Sequence, residues 1–116
     1  MYQRIIIIII ILCTVGCAKN NKIEVIEENK PDAFKIYNDA YAGFERGDYF
    51  YASKKFSEAE LSFRNVELAA KSAIMSCYSL YGINFYEEAL EGLERYLKKY
   101  RADKNVLYAH YLIAII

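Results

Sequence analysis

The chain has 116 residues, with 15 basic and 15 acidic side chains in balance. That balance provides no basic surface for nucleic acid or for an acidic membrane. Twelve tyrosines, one proline and no tryptophan, among many Ala, Glu, Lys and Leu, favour helix over sheet.

Arg4 and an uninterrupted apolar run, Ile5 to Leu12, come first. The run is shorter than the about 20 residues of a membrane span and has the length of a signal-peptide core. Thr14-Val15-Gly16-Cys17 comes next, with a small residue directly before a cysteine. This resembles the bacterial lipobox, whose cysteine takes a diacylglycerol and becomes the new N-terminus after cleavage. Thr14 stands where leucine is usual, and Cys13 fits less well because bulky Leu12 precedes it. Residues 1–16 therefore read as a lipoprotein signal peptide and Cys17 as the site of a covalent lipid. An ordinary secretory signal, or an uncut apolar anchor, is the alternative. Ala18 stands where inner-membrane retention would often place aspartate, which favours the outer membrane.

Residues 17–31 read as a lipidated flexible tether, polar except for Ile23, Val25 and Ile26. Whether that apolar patch docks on the first helix is left open by the residues. About 85 residues remain beyond it, enough for a modest helical stack.

Asp32 caps a first helix reaching about Arg46. Ile36, Ala40 and Gly43 form a narrow small-residue stripe on it, expected to face the second helix. Phe34, Tyr37, Tyr41 and Phe44 form a wide aromatic stripe beside it. Gly47-Asp48 makes the turn, because glycine tolerates a left-handed backbone and aspartate caps the second helix. That helix, about Tyr49 to Phe63, presents Tyr49, Ala52, Phe56 and Ala59 on one face, with Ala52 meeting Ala40.

Asn65 starts a third helix with Ala73, Cys77 and Leu80 beside Ile74, Tyr78 and Tyr81. Cys77 reads as a small buried hydrophobe. Asn84 then stands where Gly47 stood, and with Glu87 it fits a capping pair. The fourth helix, about Phe85 to Tyr100, has acids at its start and bases at its end, as the dipole favours. Glu91 with Arg95 and Glu94 with Lys98 are spaced for i, i+4 pairs. A fifth helix begins near Asn105, and the chain stops at YLIAII on an apolar surface. Solenoids close with a polar cap, so the sequence reads as part of a longer array.

Ala40 to Phe56 and Cys77 to Leu93 are therefore two copies, 37 residues apart, of one helix-turn-helix unit. Ala40, Gly47, Tyr49, Ala52, Phe56 and Ala59 resemble the tetratricopeptide repeat. The second copy keeps Tyr86 and Ala89 but carries Asn84, Leu93 and bulky Tyr96 in place of glycine, aromatic and alanine. The expected fold is all-α, a tetratricopeptide-like α-solenoid of antiparallel helix pairs. Repeat 1 covers 32–64, repeat 2 covers 65–101, and 102–116 forms the first helix of a third.

The longer spacing, the lipobox, YNDAYAGFERGDYFYASKKF and YEEALEGLERYLKKY followed by YAHYL resemble the BamD family. That family comprises lipoproteins of the outer-membrane protein assembly machine. The resemblance runs from Cys17 to Ile116, and implies about five repeats in the whole family member. It implies a bacterial outer-membrane protein, lipid-anchored on the periplasmic face. The implied partners are a BamA-type barrel subunit, other assembly lipoproteins, and the C-terminal segments of unfolded outer-membrane proteins. In such arrays the first helix of each repeat lines a groove. That geometry puts Phe34, Tyr37, Tyr41 and Phe44, then Ile74, Tyr78 and Tyr81, then Tyr108 and Tyr111 on its wall. Aromatic walls with phenolic tips suit an extended peptide; packing between adjacent repeats is the competing role for each ring.

Another tetratricopeptide lipoprotein scaffold, such as a pilotin for secretin assembly, is the alternative function. A peptidoglycan-modifying enzyme would need a catalytic domain beyond this sequence. His110 is the one histidine, and no metal-ligand cluster or glycine-rich phosphate loop accompanies it. We therefore expect no catalytic residue, no metal and no cofactor besides the lipid on Cys17.

Overall fold

The computed structural model describes Tyr2, Gln3 and residues 32–116. The expected signal core, Cys17 and the tether lie outside the described residues. Among residues 32–116 five helices succeed one another: α1 (Ala33–Glu45), α2 (Tyr49–Ser62), α3 (Val66–Gly82), α4 (Tyr86–Lys99) and α5 (Val106–Ile115). Each packs on the next through a short connection, the arrangement of antiparallel helix pairs in a tetratricopeptide-like stack. No strand occurs among the described residues.

Local chemistry sets the helix limits. Asp32 accepts the Phe34 backbone N–H at 3.0 Å, and Asn65 accepts those of Glu67 and Leu68. These side chains satisfy donors that the first helical turn leaves without a partner. Both intra-pair turns close in the same way. Gly47 has φ +78°, and Asn84, at the equivalent place, has φ +61°. In each turn two bonds complete a Schellman motif: Asp48 N–H to Gly43 O at 2.9 Å with Gly47 N–H to Phe44 O, and Phe85 N–H to Leu80 O at 3.0 Å with Asn84 N–H to Tyr81 O.

The expected pairing of Asn84 with Glu87 does not form. Phe85, one residue later, is the N-cap of α4, and it makes no side-chain cap bond. Asn84 is committed to ending α3, so its side-chain oxygen accepts the Tyr86 hydroxyl at 2.7 Å instead.

The small stripe of α1 is buried as expected, and Ala40, Ala52 and Phe56 form one core cluster. A Cβ on Gly43 would stand 2.7 Å from the Tyr51 ring, so the close helix approach requires glycine there. The larger cluster joins α3, α4 and α5 through Ala70, Ile74, Cys77, Leu93, Tyr96 and Leu112. Tyr96 stands where alanine stands in the first copy, and it is almost wholly buried. Its hydroxyl reaches the α4–α5 connection and donates to Asp103, which also accepts the Asn105 N–H. The bulk that departs from the repeat pattern thus ties α4 to the connection leading into α5.

Neither Glu91–Arg95 nor Glu94–Lys98 is among the ion pairs of the described residues. Lys99 and Tyr100 reach across to Glu60 of α2 instead, at 2.8 and 2.6 Å. These long-range bonds brace the second pair against the first.

Candidate functional site

Helices α1, α3 and α5 put their aromatic residues in line. Phe44 of α1 lies 5.7 Å from Tyr78 of α3, centroid to centroid, and Tyr78 lies 6.3 Å from Tyr108 of α5. Tyr81 stacks on Tyr78 and Tyr111 stacks on Tyr108, each at 6.2 Å. The result is one unbroken ribbon of rings crossing three helices. Such contacts are within the range where aromatic pairs attract beyond simple burial.

The nine expected wall residues do not share one environment. Phe44, Tyr78 and Tyr81 are half-buried ring-to-ring, whereas Tyr108 and Tyr111 are more exposed. Tyr41 is exposed on α1. Tyr37 packs edge-on against Phe56 and Phe63 of α2 and carries Lys71 over its ring at 5.4 Å. Phe34 is more than half exposed, and its ring meets Phe63 edge-on at 5.2 Å. Phe34 and Tyr37 thus belong to a second aromatic group near the start of α1.

Ile74 is the exception. It is only 5% exposed and belongs to the core cluster that includes Ala109 and Leu112 of α5. Tyr37 holds the same register in α1 and stays half-buried. The third helix has neighbours on both sides, so its buried face is wider than one stripe predicts.

Two rings that the stripe reading left aside extend the ribbon: Tyr49 lies 5.1 Å from Phe44, and Tyr86 lies 5.9 Å from Tyr81. Their signal was present, since the two tyrosines superpose in the 37-residue repeat. Burial, and then the neighbouring tyrosines 78, 111 and 81, push the Tyr108 phenol above its ordinary range. The ribbon offers phenolic hydroxyls around apolar ring faces, a surface able to take both apolar side chains and backbone polar groups.

The chemistry available elsewhere is different. Cys77 is buried, and desolvation pushes its thiol up to about 11, so it is protonated and poorly nucleophilic at neutral pH. His110 is exposed on α5 rather than packed within it. No group of three or more His, Cys, Asp or Glu side chains capable of holding a metal ion occurs among the described residues. A hollow of about 640 Å³ lies at another edge, between Val66 and the α4–α5 connection.

Residues 29–116 match the YfiO family, described as outer membrane lipoprotein. Outer membrane protein assembly factor BamD of Caulobacter vibrioides is 31% identical over 101 residues, covering 86% of this chain and 33% of that protein. The protein of the same name from Rickettsia prowazekii is 26% identical over 80 residues, covering 69% of this chain and 32% of its own length. The chain thus spans about one third of the length of the curated relatives it matches. No solved structure matches it. From the match across the whole helical stack, the chain belongs to the YfiO family of outer membrane lipoproteins.

Proposed function

We propose that the chain acts as a lipid-anchored adaptor in outer-membrane protein assembly, with the ribbon from Phe44 to Tyr111 receiving extended segments of unfolded substrate. The carrying observation is the continuity of the rings across α1, α3 and α5. A ribbon of π-faces and phenol tips gives apolar contact with little ordering cost, because each ring has few torsions to fix. It also leaves hydrogen-bonding groups for a peptide backbone not yet paired in a sheet. Cys17 would carry the lipid and hold the stack at the periplasmic face of the outer membrane, where several acyl chains give lasting attachment. A BamA-type barrel subunit is the partner this role calls for.

A peptide from the C-terminus of an outer-membrane β-barrel protein tests the ribbon directly. Binding to the full-length protein should weaken at least tenfold in Tyr78→Ala/Tyr111→Ala, about 1.4 kcal/mol, while Tyr78→Phe keeps most of it. Equal affinity in a double variant that retains its helicity would overturn the reading. Recovering the acylated protein from detergent-solubilised envelopes tests the setting. A co-purifying outer-membrane barrel with periplasmic repeat domains supports the assembly role; a secretin, or cell-wall proteins alone, overturns it.

A further inference from the structure

Away from the aromatic ribbon, the edge where α2 ends and α3 begins is unusually apolar and open. Leu61 is 79% exposed and Val66 70%. They border a hollow of about 270 Å³ with Phe63, Arg64, Ala69 and Tyr100. That hollow shares Val66, Lys99 and Tyr100 with the larger one at the α4–α5 connection. The two hollows adjoin at these residues along one edge of the stack.

Its charged rim carries four bases, Arg64, Lys99, Arg101 and Lys104, and three acids, Glu60, Glu67 and Asp103; Asp103 is already bonded to Tyr96 and Asn105. Lys99 and Lys104 are taken up by Glu60 and Glu67. Arg64 and Arg101 have no carboxylate partner among the described residues. An occupant should therefore combine aliphatic side chains with carboxylates.

The chain itself carries such a segment close by. Ile23-Glu24-Val25-Ile26-Glu27-Glu28 has three aliphatic residues, three acids and no base. It joins α1 through Asp32, and the first turn of α1 already touches this edge, since the Phe34 ring lies 5.2 Å from Phe63. Asp32 follows Ile26 by six positions, a reach of about 20 Å when extended. Only a short loop need close, so its entropic cost is small.

We propose that Ile23–Glu28 docks in this edge concavity, with Ile23, Val25 and Ile26 against Leu61 and Val66 and the glutamates facing Arg64 and Arg101. Docking shortens the free link between Cys17 and the stack and turns the α2–α3 edge toward the point of attachment. The inference rests on the hollow, its charge and the position of α1, and does not depend on the aromatic ribbon binding peptide.

A benzophenone amino acid placed at position 61, 66 or 107 of the full-length protein tests it, after irradiation in envelopes and mapping by mass spectrometry. Positions 61 and 66 should cross-link within the chain to residues 22–31. Position 107, 81% exposed on α5, should not. Reversing the acids (Glu24→Lys, Glu27→Lys, Glu28→Lys) should lower the yield at least fivefold with helicity unchanged. Cross-links from 61 and 66 that land on lipid or on another protein would overturn the proposal, as would a yield indifferent to the reversal.

Discussion

The α1–α2 and α3–α4 hairpins leave their first helices through the same pair of backbone bonds, yet enter their second helices differently. Gly47 and Asn84 both adopt positive φ, and both turns close with a bond five residues back. Thereafter Asp48 caps α2 by accepting the Tyr51 N–H, whereas Phe85 gives α4 no side-chain cap. The first hairpin is stabilised at its turn. The second relies on ties made further along: Tyr96 to Asp103, and Tyr100 and Lys99 to Glu60. A repeat can thus keep its backbone path while moving its stabilising contacts from the turn to its neighbours.

The sharpest way to break that contrast is at Tyr96. Tyr96→Ala should destabilise the protein by about 3–5 kcal/mol, because a large side chain leaves a wholly enclosed site. Chemical denaturation followed by circular dichroism measures this. Ala59, at the same register of the first hairpin, is also fully buried, and Ala59→Tyr should destabilise the protein by about 1–3 kcal/mol or more, because a ring would overpack a site filled by alanine.

The turns come next. Gly47→Ala should cost about 1–2 kcal/mol, the penalty of a Cβ in left-handed backbone. No steric contact lies within 4 Å of a Cβ there, so the loss would report backbone strain alone. Asn84→Gly should leave stability nearly unchanged, since glycine adopts the same φ but forfeits the bond from Tyr86. Paired denaturation curves would separate the two; a large loss in Asn84→Gly would mean that the side-chain bond matters more than the backbone.

A pH series sharpens the role of Tyr96 without removing its ring. Burial, then the bond to Asp103, raises the Tyr96 phenol above its ordinary value of 10.0. The unfolded chain therefore gives up this proton first. The stabilisation is fully present below about pH 10 and falls as pH rises beyond it. Tyr96→Phe should cost about 1 kcal/mol at neutral pH and flatten the alkaline part of the stability profile. An unaltered alkaline slope would assign it to other tyrosines, Tyr100 and Tyr108 foremost, whose phenols are also raised.

These contrasts also mark where the sequence was legible. Periodicity and turn chemistry located all five helices, the small-residue stripe of α1 and the left-handed Asn84, because each depends on residues only a few positions apart. Ile74 escaped the same logic, since it lies in a core cluster that also draws in Leu93, Tyr96 and Leu112 from later helices. The pairs Glu91–Arg95 and Glu94–Lys98 had favourable spacing, but Lys99 found Glu60 on another helix. Aromatic residues of the ribbon were recognisable one helix at a time; their joining across α1, α3 and α5 needed the stack itself.

The smallest expected effect is the most direct test of the hairpin contrast. Phe85 occupies the N-cap that Asp48 fills in the first copy, and its ring is partly exposed beside Phe50 at 6.4 Å. Phe85→Ser would supply an oxygen for a free N–H in the first turn of α4, worth about 0.5–1 kcal/mol. Serine rather than aspartate avoids adding charge beside Glu87 and Glu88. Against the gain stands the edge-on contact with Phe50, which is loose and solvent-facing, so a net rise in thermal midpoint is expected. Asp48→Ala, which removes the cap of the first hairpin, should lower the midpoint by a comparable amount. If Phe85→Ser instead lowers the midpoint, the Phe50–Phe85 pair contributes more than a cap. The second hairpin would then have replaced a polar turn with an aromatic one.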